Sequence, residues 1–201
     1  MNLPTIVVAT RNRHKLVELL RLLGAKPGAL RPVTDFPDAP DVEEDGDTFA
    51  ANALIKARAI RDFTGQWALA DDSGLEVDAL DGAPGVVSAR YAGRHGDDAA
   101  NNRLLLDNLA AVPAPRTAHF SCAIALVAPD GREFIASGIC PGTILHAPRG
   151  DNGFGYDPLF LPDGHDKTFA ELDSDVKCAF SHRAVAAAAM RKTLHALFDA
   201  L

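Results

Sequence analysis

The order in which two hydrophobic periodicities follow each other near the start of the chain constrains its fold more than any other feature. Residues 5 to 9 (TIVVA) form a short β-branched run of the kind that makes a strand buried on both faces. Directly afterwards Leu16, Leu19, Leu20 and Leu23 fall at i, i+3, i+4 and i+7, one apolar helix face, and Gly24 stands where such a helix would close. A strand fed straight into an amphipathic helix must have that helix cover its own sheet. The pattern continues. Phe49, Ala53, Ala57 and Ile60 mark the buried stripe of a second helix, while Thr48, Asn52 and Lys56 recur every four residues on another face. An apolar strand over 67 to 70 follows, then a helix over 97 to 109, then a hairpin of 118 to 127 with 132 to 139 around Pro129-Asp130-Gly131. A last helix starts near Ser181 and sets Met190, Leu194, Leu197 and Leu201 on one face. This order predicts an α/β fold with a mixed central β-sheet flanked by helices. With 201 residues, 47% of them hydrophobic, and no repeat or linker, residues 1–201 are expected to form a single domain.

A formal charge of −7 argues against a duplex nucleic acid as partner, because counterion release needs a basic face. Cys122, Cys140 and Cys178 are widely spaced, with no C-x-x-C and no adjacent histidine pattern, which points to reduced thiols in a cytoplasm and away from zinc. No stretch approaches the roughly 20 apolar residues of a membrane span, and the first residues lack a signal-peptide core. A soluble, unanchored, cytoplasmic protein is expected.

Residues 10 to 15 (TRNRHK) sit where the first strand turns into the first helix, with Asn12 as candidate N-cap. Arg11, Arg13, His14 and Lys15 crowd a helix end that is already partly positive. An anion held by backbone N–H groups and cations together would resolve that conflict; a solvated basic edge is the plainer alternative. The segment is neither a P-loop nor G-x-G-x-x-G.

In LADDSG, residues 69 to 74, Asp71 and Asp72 follow each other on a strand and so point to opposite faces. Ligands of open α/β sheets bind beyond the carboxyl ends of strands, and Ser73-Gly74 reads as a sharp turn. Asp72 is then the active carboxylate and Asp71 braces the turn, unless both merely cap it. Asp41, Glu43, Glu44, Asp45 and Asp47 form a second acidic group. It lacks the twelfth-position glutamate of a calcium loop, since Asn52 stands there, and carboxylates without histidine suit Mg²⁺ or Mn²⁺. A solvated acidic loop is the other reading. Residues 153 to 158 (GFGYDP) set Phe154 between glycines, fit either for stacking on a planar ligand or for plugging the core. Lys177 and Ser181-His182-Arg183 add cations and donors, with Ser181 as a candidate N-cap. Adjacent Ser181 and His182 make no catalytic triad.

Taken in order, T-x-N-x-x-K at 10 to 15, E-E-x-G-x-T-F at 43 to 49, N-A-x-x-K-A at 52 to 57, A-D-D-S-G-L at 70 to 75, G-A-P-G-V-x-S-A-R-Y at 82 to 91, G-F-G-Y-D-P at 153 to 158 and S-H-R at 181 to 183 resemble the inosine/xanthosine triphosphate pyrophosphatase family. The resemblance runs from Ile6 into the last helix. It implies a two-lobed α/β homodimer, with the active site in the cleft between the lobes, that hydrolyses ITP, dITP and XTP to the monophosphate and pyrophosphate. It further implies Mg²⁺, with Mn²⁺ as substitute, and a cytoplasmic role in clearing deaminated purines from the nucleotide pool. Position by position it implies Thr10, Asn12, Lys15 and Lys56 for the triphosphate, Glu43 and Asp72 for the metal, and Ser73 as a substrate contact. Asp72 would also be the proton acceptor. Phe154, Gly155, Tyr156, Asp157, Lys177, His182 and Arg183 would surround base and sugar. Arg11, Arg13 and His14 join the phosphate loop; Arg11 stands where family members often carry glycine, which means either a stiffer loop or a tighter phosphate grip. Two rivals remain at this point. A haloacid-dehalogenase-type phosphatase would need a D-x-D that LADDSG lacks, and a nucleotide-sensing module would bind without chemistry.

Overall fold

The computed structural model describes residues 4–24, 28 and 30–198; Leu201, assigned above to the last helix face, lies outside them. Strand β1 (Ile6–Val8) is wholly buried. It feeds helix α1 (Arg13–Leu23), which Asn12 caps and which Gly24 closes at φ 61°, a left-handed conformation that suits a residue without Cβ. Strand β2 (Leu30–Pro32) follows, then α2 (Phe49–Thr64), capped by the Thr48 hydroxyl, which accepts from Ala51 N at 3.1 Å. Beyond these come β3 (Trp67–Val77), α3 (Asp98–Asn108), β4 (Thr117–Val127), β5 (Glu133–Ile144), β6 (Phe160–Pro162), α4 (Ser174–Phe180) and α5 (His182–Phe198). The six strands make one sheet in the order β2-β1-β3-β4-β5-β6. β1 runs parallel to both neighbours, with Ile6 beside Leu30 and Trp67, whereas β5 and β6 are antiparallel. The sheet is therefore mixed and the fold α/β. Among the described residues no helix is long and apolar enough to cross a membrane.

One expectation about the strands needs correction. Ser73-Gly74 is no turn, because β3 continues through the aspartates to Val77 and carries Leu75 and Val77, both fully buried, into a core. That burial outweighs the turn preference of Asp, Ser and Gly. Ser181 stands between two helices: it closes α4, its N–H donating to Lys177 O at 3.0 Å, and with φ −61° and ψ 160° it directly precedes α5, where the sequence placed the start of the last helix.

The chain divides into two compact units. The first comprises Met1–Asp72, Cys122–Gly138 and Arg183–Leu201. Strand alternation gives it two apolar clusters. Ile6, Val8, Leu69 and Ile124 pack with Leu19 and Leu23 of α1 and Met190 and Leu194 of α5, while Val7, Ala68, Ala70 and Ala125 pack with Ala53, Ala57 and Ile60 of α2. The second unit comprises Ser73–Ser121 and Ile139–His182. Its core holds Leu75, Val77, Leu105, Leu109 and an aromatic group in which the Phe120 and Phe160 rings meet edge-on at 4.7 Å.

Candidate active site

In the first unit, the two faces of β3 place its adjacent aspartates in different surroundings. Asp72 shares a face with Ala68 and Ala70, against α2, where Asn52 and Lys56 stand one turn apart. Asn52 Nδ2 donates to Asp72 Oδ2 at 3.1 Å, and Lys56 Nζ lies 3.5 Å from Asp72 Oδ1 and 2.8 Å from Glu44 Oε2. Asn52, fully buried, also accepts Gly46 N at 2.8 Å and so ties the acidic loop to the helix. A Cβ on Gly46 would come within 2.8 Å of Ala51 Cβ and Asn52 Oδ1, so the loop approaches this closely only as glycine. Burial raises the Asp72 carboxyl above its ordinary value, Lys56 and Lys15 oppose the rise, and the nearby Glu44 charge adds to it.

Asp71 faces the other way. Its Oδ2 accepts from Arg183 Nε and Nη2, both at 3.2 Å, and lies 3.7 Å from Lys15 Nζ. Burial alone would raise this carboxyl, but the charges of Lys15, Arg183 and Lys56 together hold it down at about 2. Arg183 also donates to Glu18 of α1. The guanidinium given by resemblance to base and sugar is thus buried in an ion-pair network that joins α1, β3 and α5. Nor does Asp71 brace a turn; it neutralises that arginine.

The basic segment is organised around Asn12. Its Oδ1 accepts from His14 N at 3.0 Å and Lys15 N at 3.2 Å, while Thr10 Oγ1 accepts from Asn12 N at 3.2 Å. Those amides are satisfied within the chain, which corrects the expectation that they remain open to an anion. Arg11 leaves the segment altogether: it donates to Ala39 O at 2.7 Å and pairs with Asp41 at 3.0 Å, so its effect is to pin the loop. Arg13 and His14 are exposed, and the mostly buried Lys15 turns toward Asp71.

Of the acidic loop, Glu44 reaches Lys56 and the field of Asp72, whereas Glu43 is exposed. The acid that shares Lys56 with Asp72 is therefore Glu44, one residue on from the expected metal ligand. Among the described residues no group of three or more His, Cys, Asp or Glu could hold a metal ion. Two carboxylates sharing one ammonium, with no nitrogen or sulfur ligand, fit a hard cation that takes one or two protein oxygens and completes its shell with water and phosphate, as Mg²⁺ does.

In the second unit, Asp157 organises residues 153 to 157. Its Oδ2 accepts from Phe154 N at 2.9 Å and from Lys177 Nζ at 2.6 Å. Lys177 Nζ stands 5.1 Å from the centres of both the Phe154 and Phe169 rings. Gly153 has φ 79°, and a Cβ there would fall 2.0 Å from Asp157 Oδ2. Phe154 is half-buried rather than a core plug. Tyr156 is the core residue of the segment: it is 4% exposed, its hydroxyl donates to Ser88 O at 2.9 Å, and burial pushes its ionisation well up. It therefore offers no side chain to a ligand, contrary to expectation. Both peptide groups of Gly155 are taken by α3, its N–H by Asp98 and its carbonyl by Asn102. His182 is buried, stacked on Phe120 at 4.8 Å and 14°, and Ser73 is half-buried on β3. Sequence reasoning gave no role to Asn52, Asp98 or Asn102. Only Asn52 left a signal, its four-residue recurrence with Lys56.

A model of the Ham1 family matches residues 6–193. The chain is 54% identical over 194 residues to a dITP/XTP pyrophosphatase of Leifsonia xyli, covering 96% of each chain. It is 53% identical over 190 residues to the dITP/XTP pyrophosphatase of Geobacter sulfurreducens, covering 94% of this chain and 96% of that one. Among solved structures it resembles a HAM1 protein from Coxiella burnetii, with TM-score 0.88, 44% identity and coverage of 96% and 99%. A nucleoside-triphosphatase / dITP/XTP pyrophosphatase from Mycobacterium abscessus matches with TM-score 0.77, 51% identity and coverage of 92% and 98%.

Proposed function

The chain belongs to the Ham1 family, and from that premise we propose that it is a nucleoside triphosphate pyrophosphatase that hydrolyses dITP, XTP and ITP to the monophosphate and pyrophosphate. The observation that carries the reading is the division of labour on β3. Asp71 is locked in ion pairs at about 2, while Asp72, one residue on, is raised by burial and faces a second acid and an ammonium. A spare, basicity-enhanced carboxylate beside cations serves phosphoanhydride hydrolysis.

Lys15 and Lys56 neutralise the triphosphate, and the Asn12-capped start of α1 keeps Lys15 in place. Glu44 and Asp72 would hold Mg²⁺, which when bound supplies charge neutralisation to the phosphate oxygens. Asp72 orients a water in line with the phosphorus next to the sugar and accepts its proton; the bond to the bridging oxygen breaks, and pyrophosphate leaves. Lys56 counters the charge that builds on the leaving group. Asn52 holds Asp72 Oδ2 so that the carboxylate keeps its orientation through the step. In the second unit Phe154 offers a ring face on which the base stacks, with the Lys177 ammonium 5.1 Å from the ring centre as the neighbouring donor. The reading includes a cytoplasmic location and a homodimer, the latter checked by sedimentation of the purified protein.

Pyrophosphate release from ITP, dITP, XTP, ATP and GTP, with and without Mg²⁺, tests the reading. Release confined to the first three and dependent on the ion supports it. Equal release from ATP and GTP keeps the chemistry and removes the selectivity, and no release under any condition moves a binding-only role to the front.

A further inference from the structure

The segment that carries Phe154 is gripped from outside by a helix to which no motif assigns a role. Asp98 opens α3 and Asn102 lies one turn later, so both side chains leave the same face. Asp98 Oδ2 accepts the Gly155 N–H at 2.7 Å, and Asn102 Nδ2 donates to the Gly155 carbonyl at 2.8 Å. The first bond fixes the peptide plane between Phe154 and Gly155, and the second fixes the plane between Gly155 and Tyr156. Gly155 has φ 61°, so the chain bends there and either plane, if released, would swing the Phe154 ring.

The surrounding contacts show what the grip is for. Tyr156 is anchored by its own hydroxyl on Ser88 O, and Asp157 by Lys177. Asp98 is not needed as a cap, because Asp97 already accepts from Ala100 N at 3.1 Å. Asn101 ties α3 to Ala92 N at 2.8 Å and Ala89 O at 3.3 Å, which gives the grip a fixed base. Asn102 Oδ1 is buried without a hydrogen-bond partner, so the bond to Gly155 alone sets the orientation of that amide.

We propose that Asp98 and Asn102 are positioning residues for base selection, holding both peptide planes at Gly155 so that the Phe154 ring keeps the attitude in which a deaminated purine stacks. The proposal rests on the nucleotide reading above.

Asn102→Ala and Asp98→Ala test it in the full-length protein, with Asp98→Asn as the conservative variant that retains an acceptor. The first readout is amide exchange at Gly155 without nucleotide, expected to quicken roughly tenfold in Asp98→Ala and far less in Asp98→Asn. The second is steady-state hydrolysis of dITP and dGTP. KM for dITP rises roughly 5- to 10-fold in both alanine variants, kcat stays within about twofold, and the preference for dITP over dGTP shrinks. Melting temperatures within a few degrees of wild type exclude general damage. Unchanged exchange in Asp98→Ala overturns the grip. Faster exchange with unchanged KM and preference, in a protein whose wild type hydrolyses dITP, overturns its link to base selection. A wild type that releases no pyrophosphate overturns the nucleotide reading and the selection half with it, while exchange still judges the grip.

Discussion

Arg183→Met is the perturbation whose size the structure fixes best. The Arg183 side chain is 1% exposed and its partner Asp71 0%. Methionine fills much of the arginine stem but leaves Asp71 buried without its hydrogen-bonded partner, balanced by Lys15 at 3.7 Å and the field of Lys56. Removing one member of a buried pair costs about 3–5 kcal/mol, because the remaining charge is stranded. At roughly 2–4 °C per kcal/mol for a chain of this size, Tm should fall by about 6–20 °C. The pH dependence supplies a second signature. With its folded pKa depressed from 3.8 to about 2, Asp71 contributes stability that is present above its unfolded value and lost as pH falls through the folded one. That contribution is roughly 2 kcal/mol in wild type. Without Arg183, burial raises the folded pKa, that contribution disappears, and the stability gap between wild type and variant therefore narrows as pH falls and Asp71 is protonated. Urea melts of wild type, Arg183→Met and Asp71→Leu/Arg183→Met at pH 7, 5, 4 and 3 are the assay. The double variant, which removes both charges, should regain most of the loss. A single variant that loses less than about 1 kcal/mol at pH 7, or a double variant no better than the single, would refute the reasoning.

Two further substitutions separate roles at the site. Glu44→Gln should raise the Mg²⁺ concentration needed for half-maximal pyrophosphate release by roughly tenfold or more, whereas Glu43→Gln should leave it unchanged; the reverse order would return the metal to the exposed acid. Phe154→Ala should raise KM for dITP roughly tenfold with kcat nearly preserved, as expected for the loss of one base–aromatic stack, and an unchanged KM would remove the ring from substrate binding.

Periodicity made the β1–α1 unit and α2 legible, because each buries one helix stripe on a sheet and marks its ends with Asn12, Gly24 and Thr48, whose local chemistry is strong. The path of β3 was not legible: Asp-Asp-Ser-Gly reads locally as a turn, and only the burial of Leu75 and Val77 carries the strand onward. At the site, the residue types were visible and their partners were not. Arg183 finds Asp71 across 112 positions, a pairing that no local pattern encodes. Glu43 and Glu44 are identical residues in sequence, and what brings Glu44 to Lys56 is the fold of a loop that Asn52 ties at Gly46. Arg11 stood in a basic run that suggested phosphate, yet Ala39 O and Asp41 lay within reach of its side chain.

The central claim is that the two aspartates of β3 do different work, and Asp72→Asn tests it most directly. The account predicts a loss of dITP turnover of roughly a hundredfold or more with Tm within a few degrees of wild type, since the amide keeps the size of the carboxylate and one carbonyl acceptor for Asn52 or Lys56. In wild type, activity should fall as pH drops through the raised Asp72 pKa, above the ordinary 3.8, because only the ionised carboxylate accepts the proton. Turnover close to wild type in a folded Asp72→Asn would contradict the account and leave Asp72 as one more buried acid.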